Sequence, residues 1–472
     1  MTTVASLLLL FCILLPLATR AQLPTGKIVW LTDINLDVSP TAKTGRRFGQ
    51  FGDDTNVPLW AATIRSIRML GAQPDFIIVT GNSVTSNLRN ISADGVVVNP
   101  VDTLRAVTVA LESFTGVRSF LALGPTDVIE NLNRKQIYSA VAQMWQPWIG
   151  DDAQTLAKYG YYTTRTGDNT VLMALNTNLF LEEQIDFSDI AAQAHISWLR
   201  NMLEHARRAR DNVIVIGHTP PGIDENGRAR WAENFQEQFV DLIEEYSGII
   251  RMMLFGGTHS DAFQIVTQSK KWRDLRVAKG VRSDDSEQQN VILMAPSVAP
   301  WKKPNRSPSS PAFRVLDYGR ANGELINLHQ YFMDLTISNQ LDLPLWTQLY
   351  SFESAYEIRP VNGWSMLDVY NRLSNDDRLM SEYIDRQGAV NTTKSCDSIC
   401  RRRLLCSIKH MRSVDWMNCV QPFDDEYNAK YLTNEAWVPI VAGALLLLFV
   451  ASLFVYFGTR AVRSWCGYKR FA

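Results

Sequence analysis

The chain lacks net charge: 47 lysines and arginines stand against 48 acids over 472 residues, leaving −1. It also lacks any basic tract interleaved with aromatics, which excludes the electrostatic footprint of a nucleic-acid binder. No internal repeat or low-complexity segment interrupts it, so it reads as neither an array nor a disordered tail. Paired CxxC knuckles are missing too. Four of its six cysteines, Cys396, Cys400, Cys406 and Cys419, crowd into CDSICRRRLLCSIKHMRSVDWMNC, a spacing that does not match zinc knuckles. In an oxidising compartment these four read as two disulfides with three possible connectivities. What is present is a globular composition, 46% hydrophobic and 20% charged, long enough for a core of a few hundred residues plus an accessory region.

Both ends are specialised. VASLLLLFCILLPLA followed by ATRAQ reads as a secretory signal peptide, residues 1–21, although it has no basic n-region beyond the terminal amine. Near the other end, WVPIVAGALLLLFVASLFVYFG, Trp437–Gly458, carries no charge and is long enough to cross a hydrocarbon core of about 30 Å. Trp437 and Tyr456 fall where interfacial aromatics are expected, and the tail 459–472 holds four basic residues and no acid, which places it in the cytosol. The expectation is a type I membrane protein whose body is lumenal or extracellular, at the cell surface or in endosomes or lysosomes. Sequons at Asn90, Asn305 and Asn391 suit a glycosylated ectodomain. Cys466 beside the membrane reads equally as a palmitoylation site or a plain thiol.

Between the ends, short β-rich apolar runs alternate with amphipathic stretches. KIVWLTDI, DFIIVTGN, RSFLALGPTD, TVLMALNT, NVIVIGHTPPG, GIIRMMLFGGTH and VILMAPS read as strands running into polar loops. LWAATIRSIRML, VDTLRAVTVALESF and AAQAHISWLRNMLEHARRAR read as helices. AFRVLDY and GELINLHQYFMDL close the α/β region near Leu335. Beyond Leu341 the text changes, and LWTQLYSFESAYEI and SMLDVYNRLSNDDRLMSEYIDRQ read as helices leading to the cysteine cluster. The alternation predicts α/β layers with largely buried sheets.

Polar residues gather where the strands end: Asp33, Asn35, Asn82, Asp127, His218 and His259. Loops beyond the carboxyl ends of α/β strands converge on one crevice, where ligands bind. Taken singly, Asp33 or Asn82 reads as an Asx turn and His218 as a core histidine; five such junctions in order point to a site. One stretch is telling. In FGGTHSDAF a Gly-His-x-His pattern would aim two imidazoles at one metal cluster, but Gly257 stands where the first would be, and His259 supplies the second alone.

The tracts GHTPPG at 217–222 and APSVAPW at 295–301, with PAFRVLDY, GELINLHQYFMDL and CDSICRRRLLC, resemble the calcineurin-like metallophosphoesterases, and within them the acid sphingomyelinase-like phosphodiesterases. The resemblance runs from about Ile28 to Cys419. It implies a four-layer α/β/β/α sandwich over 22–338, a helical disulfide-stapled region over 339–436, and a strand-end site holding two metal ions, commonly zinc, for in-line attack on phosphorus. Matched residue by residue, the family's Asp-x-His is Asp33-Ile34-Asn35 and its Gly-Asp is Gly81-Asn82. Its Gly-Asn-His is Gly124-Pro125-Thr126, its Gly-His is Gly217-His218, and its Gly-His-x-His is Gly256-Gly257-Thr258-His259. Asp33, His218 and His259 remain as vestigial metal ligands, with weak support from Asn35 and Asn82, and no catalytic residue survives. Two divalent ions bring four positive charges against one carboxylate, a costly imbalance in a dry crevice. The expectation is a non-catalytic receptor or scaffold binding a ligand or protein partner, phosphate-containing ligands included, with no cofactor. The competing expectation is a phosphodiesterase that works with one weakly held zinc or other divalent ion.

Overall fold

The computed structural model describes residues 25–38, 46–71, 73–86, 99–128, 134–181, 185–266, 289–302, 308–388, 396–421, 448–453 and 455–457. The expected signal peptide, the three sequons and most of the expected membrane span lie outside these residues. Two sheets of six strands each carry the α/β region. The first comprises β1 (Thr25–Leu31), β4 (Phe76–Val79), β5 (Arg118–Leu121), β12 (Ala312–Gly319), β13 (Leu325–Met333) and β14 (Trp346–Ser351), in the order β14-β13-β12-β1-β4-β5. The second comprises β6 (Tyr162–Gly167), β7 (Thr170–Ala174), β8 (Asn212–Gly217), β9 (Ile250–Phe255), β10 (Ala262–Val266) and β11 (Asn290–Met294), in the order β10-β11-β9-β8-β7-β6. A two-residue pair, β2 (Leu36–Asp37) with β3 (Thr55–Asn56), lies just beyond β1.

Layering follows from the period of two along each strand. In the second sheet Leu172, Ala174, Ile214, Ile216, Met252 and Leu254 pack into the core shared with the first sheet. Their neighbours Met173, Leu175, Val213, Val215, Met253 and Phe255 face the opposite way, onto the helices Ile185–Ala209 and Glu233–Glu245. Ala192, Ile196, Leu199, Leu203 and Ala206 make the buried stripe of the longer helix at spacings of three and four. The first sheet's core takes in Trp60, Ile64 and Ile67 of the helix Val57–Met69, and Leu104, Val107 and Leu111 of the helix Pro100–Glu112. Asn56 caps the former, its Oδ1 accepting from Leu59 N at 2.9 Å. The fold is therefore mixed α/β, two six-stranded sheets sharing a core and flanked by helices, as expected.

One element departs from expectation. The stretch LWTQLYSFESAYEI divides into strand β14 and a short helix, Phe352–Tyr356, started by a Ser351–Ser354 capping box. β14 pairs with β13 from His329↔Ser351 to Met333↔Trp346, so the first sheet does not close near Leu335. Helices follow at Gly363–Asn375, Asp377–Arg386 and Ser398–Lys409. Cys396 and Cys400 are joined, and Cys406 and Cys419 are disulfide-bonded too, so all four cysteines are oxidised.

The chain divides into two compact units, 1–416 and 417–472. Of the expected span Trp437–Gly458, residues 448–453 and 455–457 are helical, with Leu448, Phe449, Val455 and Phe457 exposed. Among the described residues no helix is long and apolar enough to cross a membrane.

Candidate functional site

β1, β4 and β5 run parallel in the first sheet, as do β7, β8, β9 and β11 in the second. Their carboxyl ends therefore feed loops at one end of the molecule. Backbone hydrogen bonds bind these loops together: Asp33 N donates to Gly81 O at 3.0 Å, Gly256 N to His218 O at 2.9 Å, and Ala299 N to Asp33 O at 3.1 Å. The backbone here is unusual. Of seven non-glycine residues with positive φ among the described residues, four are Asp33, Asn35, Asn82 and His259. Such conformations cost about 1–3 kcal/mol each where they are not locally favoured, and they cluster at functional sites. Gly81 shares the habit at φ 87°, and a Cβ there would lie 2.7 Å from Gly124 N, which only glycine avoids.

Asp33 is the hub. Its carboxylate is fully buried, and its Oδ1 lies 3.6 Å from both His218 Nε2 and His259 Nδ1. Gly257 N and the Thr32 hydroxyl each donate to Oδ2 at 2.9 Å. Burial opposes the charge, but the imidazoles of His259 and His218, with those two donors, hold the carboxyl below its ordinary range. His218 Nδ1 lies 2.7 Å from Thr80 O and donates to that carbonyl, which turns Nε2 toward Asp33. The His259 ring stacks on Trp301, 3.9 Å between centroids. The structure thus brings Asp33, His218 and His259 together as the sequence implied.

Asn82 decides what the group can hold. Its Oδ1 accepts from Thr126 N and from the Thr126 hydroxyl, each at 3.0 Å, and its Nδ2 donates to Asp33 Oδ1 at 3.2 Å. A backbone N–H can only donate, so the amide orientation is fixed: oxygen toward Thr126, nitrogen toward Asp33. The family's bridging carboxylate is replaced here by a group that points hydrogens at the neighbouring ligand. Thr126, where the family has its catalytic imidazole, is spent on that bond and on Val84 O at 2.9 Å. At Gly257 a Cβ would stand 3.2 Å from His218 Nε2, so the missing imidazole would have faced the remaining one. Asn35 is buried, and its Oδ1 takes no hydrogen bond among the described residues. These residues do not fit a dinuclear metal centre. Among the described residues no group of three or more His, Cys, Asp or Glu side chains is arranged to hold a metal ion.

Asp127 does different work from its neighbours. Its carboxylate accepts from the backbone N–H groups of Asn82, Ser83, Val84 and Gly124, at 2.7 to 3.0 Å. Burial pushes its carboxyl up against those four donors. It is the acceptor that folds the β4 and β5 loops together. Trp301, the last residue of APSVAPW, is the crevice wall behind His259, a role the motif alone did not disclose.

A two-sheet α/β frame whose strand-end loops converge on one crevice carries the site. A model of the acid sphingomyelin phosphodiesterase C-terminal region matches residues 287–425. The Homo sapiens acid sphingomyelinase-like phosphodiesterase 3b is 26% identical over 426 residues, 84% of this chain and 89% of that one. The Homo sapiens cyclic GMP-AMP phosphodiesterase SMPDL3A is 24% identical, covering 80% and 84% of the two chains. A dimetal phosphatase structure from Danio rerio aligns over 65% of this chain and 95% of that one at 12% identity and TM-score 0.42. Over most of its length the chain is similar to the acid sphingomyelinase-like phosphodiesterases.

Proposed function

We propose that this chain is a membrane-anchored, non-catalytic acid sphingomyelinase-like protein that works by binding, as a receptor or scaffold, rather than by hydrolysis. The observation that carries the reading is the Asn82 amide, held with its nitrogen toward Asp33 and its oxygen on Thr126. Without a bridging carboxylate two cations would repel across the crevice, and without an imidazole at 126 nothing protonates a leaving group, since a threonine hydroxyl does not titrate near neutrality. The anchor is supported by the charge-free run Trp437–Gly458 and by the apolar side chains exposed on its described helical residues. The ligand expected from the family's chemistry carries phosphate.

A second reading has its own support. Asp33 Oδ1 stands equidistant from two imidazole nitrogens, and the bond from His218 Nδ1 to the Thr80 carbonyl turns Nε2 toward it. A single divalent ion on Asp33, His218 and His259 would make a reduced hydrolase. The test is hydrolysis by the purified full chain, with and without added zinc, at acidic and neutral pH, of sphingomyelin and of cyclic GMP-AMP, the compound in the SMPDL3A relative's name. No turnover above a His218→Ala, His259→Ala double variant is expected. Zinc-dependent turnover that the double variant abolishes would replace the binding reading with the second one.

A further inference from the structure

We infer that Arg228 and Arg230, on the hairpin that follows the loop after β8, clamp the phosphate group that the binding reading above calls for, an inference that rests on that reading. The crevice itself offers a phosphate no permanent cation. Asp33 is a buried carboxylate, and Asn35, Asn82 and Thr126 are neutral. A phosphate held there without metal needs positive charge from the rim.

The stretch GHTPPGIDENGRARW, 217–231, supplies it. The chain turns back at Gly227, φ 83°, and Ile223 pairs antiparallel with Ala229. Asp224 N donates to Arg228 O at 2.9 Å, and Arg230 N to Gly222 O at 3.1 Å. Arg228 and Arg230 stand two apart on this extended return strand, so both project from the face opposite Ala229. The base of the hairpin is fixed to the crevice loop. Arg230 Nη1 donates to Pro221 O at 3.3 Å, and the fully buried Trp231 donates from Nε1 to Thr219 O at 3.0 Å. Thr219 follows directly on His218, whose Nε2 lies 3.6 Å from Asp33 Oδ1.

Neither guanidinium makes an ion pair among the described residues. Asp224 lies opposite Arg228 across the hairpin, but its Oδ1 accepts from Asn226 N at 2.8 Å and from Arg228 N at 2.9 Å. Burial brings Arg230 down to about 10, countered by Asp224, so it keeps its charge at neutral pH while partly withdrawn from water. A cation so placed costs free energy that a bound anion offsets. Guanidinium forks match phosphate oxygens with paired N–H donors, and two of them on one face can close on one group.

The test is calorimetric titration of inorganic phosphate into the full chain in detergent, with EDTA present. The wild type should bind. Arg228→Gln and Arg230→Gln should each weaken binding about tenfold or more without lowering the melting temperature, and Arg230→Lys should keep part of the affinity. Arg378→Gln removes the same charge from the helix Asp377–Arg386 and should change nothing. Adenosine monophosphate and dihexanoyl phosphatidic acid, run as competitors, separate a free nucleotide from a lipid headgroup as the source. Displacement by either supports the clamp. A wild type that binds phosphate only when zinc replaces EDTA, or not at all, overturns the inference. So does an affinity indifferent to both glutamine variants, or one that falls equally in Arg378→Gln. Turnover, on which the binding reading stands or falls, enters none of these readouts.

Discussion

At the scale of single residues the crevice combines a strained backbone with few charged side chains. Asp33, Asn82 and His259 hold left-handed conformations around an intact frame, while side chains that would balance two cations are gone. Restoring one should expose the mismatch. Asn82→Asp exchanges an N–H donor on Asp33 for a second buried carboxylate, and should cost about 1–3 kcal/mol at neutral pH without metal. Like-charge repulsion raises one carboxyl of the pair, so the loss should shrink as pH falls and that group binds a proton. Melting temperatures of the two chains at pH 7.5 and 5 check the sign; equal losses at both would show that the amide is not a charge device. Asp127→Ala removes the acceptor of four buried N–H groups and should cost at least about 3 kcal/mol, seen as poor expression or a melting point lowered by several degrees. The motifs made Asp33, His218 and His259 legible. They could not show which way Asn82 faces, because that rests on a Thr126 N–H contributed by another loop.

At the scale of elements, buried strands announced themselves and edges did not. The run FIIV of β4 is wholly buried, and β-branched runs of this kind read directly as strands. β14 escaped because Leu345, Leu349, Phe352 and Tyr356 fall at spacings of four, three and four, which imitates a helix across a strand–helix junction. The long helix Ile185–Ala209 hides another feature. His195 is fully buried between Tyr161 and Phe180, centroids 4.0 and 5.0 Å away, with no hydrogen-bond partner on either ring nitrogen among the described residues. Burial pushes it down to about 3. Its folded value lies below the unfolded one, so the unfolded chain takes up the proton first and stability falls as pH drops below about 6.5. His195→Phe should therefore raise the melting temperature, and by more at pH 5 than at pH 7.5. A gain independent of pH would mean the ring is not held neutral. In the first sheet Asp317 joins β1 to β13, its carboxylate 2.7 Å from Lys27 Nζ and 2.8 Å from His329 Nε2. Burial opposes its charge, but those two partners bring it to about 2. A lowered carboxylate stabilises above its unfolded value near 4 and loses that contribution as pH falls toward 2. Asp317→Asn should cost about 1–2 kcal/mol at pH 7 and nothing near pH 2, by denaturant titration.

At the scale of the whole molecule, the two sheets and the helices after them are tied through one buried cation. Arg314 on β12 is fully buried, donates to Gln330 Oε1 at 2.7 Å and to Met294 O of the other sheet at 3.0 Å, and pairs with Asp261, two residues beyond His259. Tyr350 of β14 donates to the same aspartate, and Asp261 N donates to Gln387 O at 3.1 Å. The loop that carries His259 therefore rests on the C-terminal region, which is why that region is a structural partner of the crevice rather than an appendage. Breaking one side of a buried pair leaves an uncompensated charge, and Arg314→Met should cost about 3–5 kcal/mol. Unfolding of the full chain in denaturant checks this, and a loss below about 1 kcal/mol would mean the pair contributes little. None of this network was legible in the sequence, since its members come from six separate stretches of chain.

With Asn82 where a bridging carboxylate would stand, the crevice should not hold two cations. The most direct test is the metal content of the full chain, measured by elemental mass spectrometry after equilibration with zinc and removal of the excess. The account predicts no stoichiometric pair of ions, and the same result for His218→Ala with His259→Ala. Two ions per chain, lost in that double variant, would contradict it and mean that ligands from elsewhere in the chain complete the site.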